Sequence, residues 1–229
     1  MFTRLFTAAL FAGAIAGALT AMLQLVFVQP VLLHAELYES GKLVHFGAEA
    51  VSAHPDLPGF DSIRDGLSII FTMLIYSAYA LILIAAMDFA AQQGAVINAR
   101  TGIIWGIAGF VIVHLAPAIS LPPEVPGVAA ADVFARQVWW ACTVGAAAVA
   151  LWLIAFGKNW MAWGPAVILL LAPHVIGAPE PDQFTGPVPT EIGALFASRA
   201  LGVGLAAWVM TGGLAGYFWR GEVSGSEGA

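Results

Sequence analysis

The chain contains histidines and carboxylates whose positions are suited to binding a divalent cation. His114 precedes Leu-Ala-Pro117 at the end of one apolar segment, and His174 follows Pro173 at the end of another. Borderline divalent ions such as Co²⁺, Ni²⁺ and Zn²⁺ accept neutral imidazoles and carboxylates as ligands, whereas Cu⁺ favours sulfur. We therefore interpret His114 and His174 as the principal candidate ligands of a metal-ion site.

Four further side chains complete the candidate site. His34 and Glu36 follow the first apolar segment, and Glu180 follows the fifth. Glu124 lies in the run Leu-Pro-Pro-Glu-Val-Pro-Gly over residues 121–127. Because each proline ring fixes its own φ and restricts the residue before it, this run predicts a loop of nearly fixed shape that presents one carboxylate. The predicted metal ligands are therefore His114, His174, His34, Glu36, Glu124 and Glu180.

Membrane-spanning helices must position these residues. Hydrophobic residues make up 60% of the chain and charged residues 10%, and the apolar residues form long runs. A helix needs roughly 20 apolar residues to cross the hydrocarbon core, where the backbone must satisfy its own hydrogen bonds. We predict an all-α integral membrane protein, a bundle of about six transmembrane helices at 5–29, 66–90, 101–119, 135–156, 160–175 and 192–218. The fifth segment is short and contains two prolines, so five spans are also possible.

The order of the spans predicts that all five histidines lie on one side of the membrane, because each lies at the end of an odd-numbered segment or after it. Lys and Arg in short loops are preferentially retained in the cytoplasm. The face opposite the histidines carries four such residues, which are Arg4, Arg100, Lys158 and Arg220. We therefore predict that this face is cytoplasmic and that both termini lie on it. A long outer loop at about 31–65 follows the first span and includes a predicted surface-lying or half-inserted helix at 32–50. His45 and His54 are expected only to line the approach to the site.

One transmembrane domain is predicted for residues 1–220, followed by a short polar C-terminal tail at 221–229. Small residues let helices approach closely in lipid. Three GxxxG faces begin at Gly13, Gly102 and Gly212, and packing within the chain is favoured over a dimer seam.

Several polar or aromatic residues in the spans have structural interpretations. Gln24 interrupts the first apolar run and is either a structural hydrogen bonder or a pathway residue. Asp132 and Arg136 stand four residues apart, which is the spacing of a helical ion pair. Trp139 lies near a predicted membrane interface, where the amphipathic indole ring is stable without any chemical role.

The chain lacks the motifs of nucleotide-driven and catalytic machinery. It has no G-x-x-x-x-G-K-[ST] run and no GxSxG elbow, and a net charge of −6 provides no basic surface for nucleic acid. Cys142 is the only cysteine, so neither a disulfide framework nor a thiolate site is expected. We predict that the chain is not an enzyme, binds no nucleotide or nucleic acid, and holds no organic cofactor.

An ordered series of motifs resembles the CbtA family along nearly the whole chain. The motifs are Gln24-Leu-Val-Phe-Val-Gln-Pro30, Glu36-Leu-Tyr-Glu39, His114-Leu-Ala-Pro117, the run at 121–127, Asp132 with Arg136-Gln-Val-Trp-Trp140, and Pro173-His174-Val-Ile-Gly-Ala-Pro179. The resemblance implies the membrane subunit of a cobalt transporter in the bacterial inner membrane, usually with five spans. It also implies Co²⁺ as the transported ion and, as a partner, CbtB, a small single-span protein with a histidine-rich end.

Two hypotheses for function follow. In the first, a transporter subunit captures Co²⁺ from the outer face and passes it along the bundle. The path is predicted to be lined by Gln24, Gln29 and Tyr76 or Tyr79. In the alternative, the chain is a structural or redox-complex membrane subunit, in which His114 and His174 ligate a haem or hydrogen-bond to loops.

Overall fold

In the computed structural model, which describes residues 2–45 and 53–224, every regular element is a helix. The elements in chain order are α1 (Phe2–Leu23), π1 (Gln24–Val28), α2 (Gln29–Glu39), α3 (Ser62–Gln92), α4 (Ala99–Phe110), π2 (Val111–Leu115), α5 (Ala116–Ala118), α6 (Val133–Phe156), α7 (Trp160–Ile176) and α8 (Thr190–Ser224). The short π-helices continue directly from α1 into α2 and from α4 into α5. The predicted all-α membrane fold is confirmed.

Five helical segments among the described residues are long and apolar enough to cross a membrane: Leu5–Glu39, Ser62–Gln92, Ala99–Ala118, Val133–Phe156 and Thr190–Trp219. The sixth apolar helix, α7, has only 17 residues. At 1.5 Å per residue it is roughly 25 Å long, which is short of a hydrocarbon core of about 30 Å. Five helices therefore have the length and composition of a span, and the segment predicted at 160–175 is a shorter apolar helix whose crossing of the membrane stays a prediction.

A π-helix lies shortly before Pro30 and before Pro117, whereas Pro165 and Pro173 lie inside α7 without one. Pro30 lies in the first turn of α2 and Pro117 in the first turn of α5. A helical proline donates no N–H, and its ring collides with the carbonyl group four residues earlier. That carbonyl belongs to Val26 in π1 and to Val113 in π2. We attribute the π-helical turns to these prolines, since a wider turn accommodates the ring and lets the helix continue.

The first span is consequently longer than predicted. Its predicted end at residue 29 is wrong, because the helix continues through Pro30 to Glu39. The surface helix predicted at 32–50 is also wrong over its described part: residues 32–39 belong to the first span, 40–45 are not helical, and 46–50 lie outside the described residues. At the other end of the chain, α8 extends into the predicted tail as far as Ser224, and residues 225–229 lie outside the described residues.

The chain forms two compact units that alternate along the sequence. Unit 1 comprises Met1–Phe27, Gly59–Phe110 and Gly202–Ala229, and unit 2 comprises Val28–Pro58 and Val111–Leu201. The boundaries at 27/28, 110/111 and 201/202 fall inside continuous helical segments. Such a division does not test the predicted single domain at 1–220, which stays a prediction.

Glycines bring the helix backbones of unit 1 into close contact. The GxxxG face of α1 lies against the α3 backbone at Met73 and Ser77, and the faces of α4 and α8 lie against each other. A Cβ atom at Gly106 would overlap the carbonyl oxygen of Trp208. All three GxxxG faces therefore pack within the chain, as predicted.

Aspartate side chains determine where two of the spans begin. At the start of α3, the carboxylate of Asp61 accepts hydrogen bonds from the backbone N–H groups of Ile63 and Arg64. At the start of α6, the carboxylate of Asp132 accepts one from Ala135. These bonds satisfy N–H groups that have no partner within the helix, which fixes the first turn.

Candidate functional site

All six predicted ligands lie in unit 2. They are distributed over α2, π2, the end of α7 and the two loops that join α5 to α6 and α7 to α8. The contacts that hold these two loops and the helix ends therefore determine the geometry of the site.

An apolar cluster joins α2 to both loops. Its buried members are Val31, Ala35, Tyr38, Val125, Val188 and Ile192. The loops also contact each other, because the backbone N–H of Ala129 donates to the carbonyl oxygen of Thr185 at 2.9 Å. Gly127, at the end of the proline-rich run, packs against the side chain of Glu39. Tertiary contacts thus fix the shape of a loop that its prolines already restrict.

His174, at the end of α7, is held by two neighbours. Its Nδ1 atom lies 2.8 Å from the Oγ atom of Ser120, in the loop after α5. Its ring is inclined edge-on to the indole of Trp139, with centroids 6.1 Å apart. Trp139 was expected only to lie at the membrane interface. In the structure its Nε1–H group also donates a hydrogen bond to the carbonyl oxygen of Pro173 at 3.3 Å. The backbone and ring of His174 are therefore positioned by a loop and by α6.

Ser120 contacts a candidate ligand, and the sequence did not predict this contact. It lies 54 residues before His174 in the chain. A single serine in a loop carries no spacing pattern, so only the folded structure shows that its hydroxyl group reaches the imidazole.

His114 lies half-buried in π2. π-Helical turns are frequent at functional sites. Here Pro117, three residues later, provides a structural cause for the turn. The His-Leu-Ala-Pro motif therefore contains the candidate ligand, His114, and also the proline that causes the π-helical turn in which this histidine lies.

His34 lies on α2 beside the buried ring of Tyr38, with ring centroids 5.6 Å apart. Tyr38 in turn contacts His45 edge-on at 6.4 Å between centroids. The Nε2 atom of His34 is shielded from solvent and has no hydrogen-bond partner among the residues that the structure describes. A buried polar atom without a partner costs about 1–3 kcal/mol, so a ligand at this nitrogen would be favourable. Glu36, on the same helix, is exposed.

One of the three predicted carboxylate ligands is engaged in an ion pair. The Oε2 atom of Glu124 lies 2.7 Å from Nη2 of Arg136. The predicted pairing of Arg136 with Asp132 is wrong, because the Asp132 side chain caps α6 by bonding to the N–H of Ala135. The cap directs Asp132 toward the first turn of its own helix, while Glu124 reaches the guanidinium from the fixed loop. Glu180 is exposed.

The predicted ligands do not converge on one point within the described ranges. No three His, Cys, Asp or Glu side chains among residues 2–45 and 53–224 are placed to hold one metal ion together. The contacts that form are pairwise: His174 with Ser120, Glu124 with Arg136, and His34 with Tyr38. The ligand set stays a prediction about individual side chains.

Residues predicted to line a path have structural partners in unit 1. The Oγ1–H group of Thr72 donates to Oε1 of Gln24 at 2.9 Å, which favours the structural interpretation of Gln24. Tyr79 stacks against Trp208, with centroids 4.9 Å apart, and contacts Tyr76 edge-on at 5.7 Å.

Comparison with known proteins gives one match that covers nearly the whole chain. A family model described as "Probable cobalt transporter subunit (CbtA)" matches residues 2–220. No curated protein and no solved structure matches the chain. The matched range includes every predicted ligand.

Proposed function

We propose that this chain, which belongs to the CbtA family of probable cobalt transporter subunits, captures Co²⁺ through unit 2 at the outer face of the membrane. Family membership confirms the resemblance found in the motifs and makes the chain a probable cobalt transporter subunit. One observation carries the proposed site. His174, within a family motif, has its ring fixed and its Nδ1 atom engaged, which leaves Nε2 as the ring nitrogen for an ion.

Two further histidines offer the same ligand chemistry. His114 lies on a helical segment distorted by a proline, and His34 has a shielded Nε2 atom for which the described residues supply no partner. Imidazole is a suitable ligand for Co²⁺. Separate imidazoles hold an ion less firmly than a closed four-ligand site. Weak binding suits a transporter, because the ion must leave as well as enter.

The carboxylates have different parts in this proposal. Glu36 and Glu180 are exposed, and negative charge at the mouth of a site raises the local concentration of cations. Glu124 is paired with Arg136, so it becomes a ligand only when the ion displaces the guanidinium group. We therefore assign attraction to the first two and a conditional role to the third.

The proposal includes a membrane and a partner. The distribution of Lys and Arg supports a cytoplasmic location for both termini, which requires α7 to cross the membrane as a short sixth span. The resemblance to the CbtA family implies the bacterial inner membrane. A subunit requires another component. We assign this role to a small single-span protein of the CbtB type, whose histidine-rich end would exchange Co²⁺ through the same imidazole chemistry. The chain moves an ion without converting it, so it needs no catalytic residue.

Uptake of labelled Co²⁺ by cells expressing His174→Ala tests the proposed site. At limiting Co²⁺ we expect initial uptake to fall at least about tenfold, which is the lower end of the loss that even outer-shell changes cause at metal sites. Ser198→Ala, which changes an exposed serine of the same unit whose hydroxyl donates to the Leu195 carbonyl of its own helix, serves as the control and should retain uptake. Membrane levels of both variants are measured in parallel.

Unchanged uptake in His174→Ala at limiting metal would remove this histidine from the site. A Soret band in the purified wild-type protein, lost in the same variant, would instead support the haem-binding alternative. Elemental analysis of the purified protein with and without the co-expressed partner distinguishes Co²⁺ binding by this chain from binding by the complex.

A further inference from the structure

The contact between Ser120 and His174 has consequences for how an ion is bound and released. The Oγ and Nδ1 atoms are 2.8 Å apart, which is a normal hydrogen-bond distance. Both side chains are half-buried, and Trp139 contacts the same imidazole ring. The ring is therefore held at Nδ1 and along one side.

We propose that Ser120 is a positioning residue that lets His174 alternate between two tautomers as Co²⁺ binds and leaves. This inference rests on the proposed function, in which Nε2 of His174 is a ligand. With the ion at Nε2, the ring proton is on Nδ1 and is donated to Oγ of Ser120. Without the ion, the proton is on Nε2, and the serine hydroxyl donates to Nδ1. The ring carries one proton in both states, so the exchange releases no proton from His174.

The choice of a hydroxyl group distinguishes this site from a permanent metal site. A metal-bound histidine usually donates its second ring N–H to a carboxylate or a carbonyl group, which fixes the tautomer and strengthens the ligand. Carboxylates and carbonyls only accept hydrogen bonds, whereas a hydroxyl group both donates and accepts. Ser120 therefore orients the ring in either state without committing it to the metal-binding tautomer. Reversible binding of this kind is what a transported ion requires.

Co²⁺ uptake measured over a range of concentrations separates affinity from maximal rate. Removing the hydroxyl with Ser120→Ala should raise the half-saturating Co²⁺ concentration by about tenfold, while the maximal rate changes by less than about twofold. Ser120→Thr keeps the hydroxyl and should restore the wild-type value. Ser120→Asp supplies an acceptor that fixes the metal-binding tautomer, so it should lower the half-saturating concentration and also slow the maximal rate several-fold.

Ser198→Ala is the matched control in the same unit, because the Ser198 hydroxyl donates only to the Leu195 carbonyl of its own helix. It should transport as the wild type does. Wild-type kinetics in Ser120→Ala would overturn the inference, as would an equal loss in Ser120→Ala and Ser120→Thr. The proposed function is tested separately by His174→Ala: loss of uptake there with normal Ser120→Ala kinetics rejects only the role of Ser120. Normal uptake in His174→Ala rejects the ligand itself.

Discussion

The two units of this chain are stabilised in different ways. Unit 1 contains the GxxxG faces, where helix backbones meet directly and no side chain fits between them. Unit 2 contains all five histidines, and its loops are joined by an apolar cluster, an ion pair and single hydrogen bonds. Backbone-to-backbone packing permits little adjustment, whereas individual polar contacts can be exchanged for contacts with an ion. Close backbone packing and the candidate ligands are thus found in different units of the chain.

The largest effect that we predict is on the glycine packing of unit 1. A Cβ atom at Gly212 would overlap the carbonyl oxygen of Gly102 and lie 2.6 Å from the backbone nitrogen of Gly106. Backbone atoms cannot rotate away, so Gly212→Leu should cost at least about 3 kcal/mol, the upper end for overpacking. Thermal denaturation in detergent and the yield of folded protein measure this loss.

Gly202→Leu provides the control for that prediction, because Gly202 lies on the same helix in the same unit, and a Cβ atom there would have no neighbour within 4 Å. This exposed substitution should change the free energy of unfolding by less than about 0.5 kcal/mol. Equal stability of the two variants would mean that the glycine faces do not hold unit 1 together.

A second, intermediate effect is expected at the ion pair of unit 2. Glu124→Gln leaves the half-buried guanidinium of Arg136 without its carboxylate, and its Nε atom already has no partner among the described residues. A hydrogen bond to a charged group contributes about 1.5–3 kcal/mol, so unfolding should become easier by about that amount. Thermal denaturation checks this value. Glu180→Gln, at an exposed carboxylate of the same unit, should have almost no effect.

The double variant Glu124→Gln, Arg136→Met sharpens this test. Replacing both members of a pair avoids the unpaired charge, so the double variant should be more stable than the sum of the single losses implies. Strict additivity would show that the two side chains do not interact, and that the contact between the loop and α6 depends on other residues.

The class of fold and the identity of the helices could be predicted from the sequence, because long apolar runs and GxxxG spacing are local signals. Pro30 shows where a local rule fails. Proline normally ends or kinks a helix. Here the wider π-helical turn before Pro30 makes room for its ring, and the span continues to Glu39. The consequence of that single turn is that the predicted surface helix does not exist as a separate element over its described residues.

The candidate site was less accessible to prediction, because its contacts are between distant parts of the chain. Spacing suggested Asp132 as the partner of Arg136. In the structure, the Asp132 side chain caps α6 instead, and Arg136 pairs with Glu124 from the preceding loop. The pairing of Ser120 with His174 likewise depends on how two loops pack, which no periodicity encodes. The positions of His114 and His174 near prolines at helix ends were recognisable from the sequence, and their role as ligands stays a prediction.

The smallest effect that we predict is at the polar contact inside unit 1. Thr72 donates to Gln24 at 2.9 Å, and Thr72→Val removes this bond while keeping the shape of the side chain. Hydrogen bonds between membrane helices contribute about 0.6 kcal/mol on average and up to about 1.7, so a loss in that range is expected in thermal denaturation. Thr7→Val, whose hydroxyl bonds only to the carbonyl of Thr3 in its own helix, should be close to neutral. If Thr72→Val instead lowers Co²⁺ uptake without a loss of stability, Gln24 belongs to the ion path, and the division of roles between the two units is incomplete.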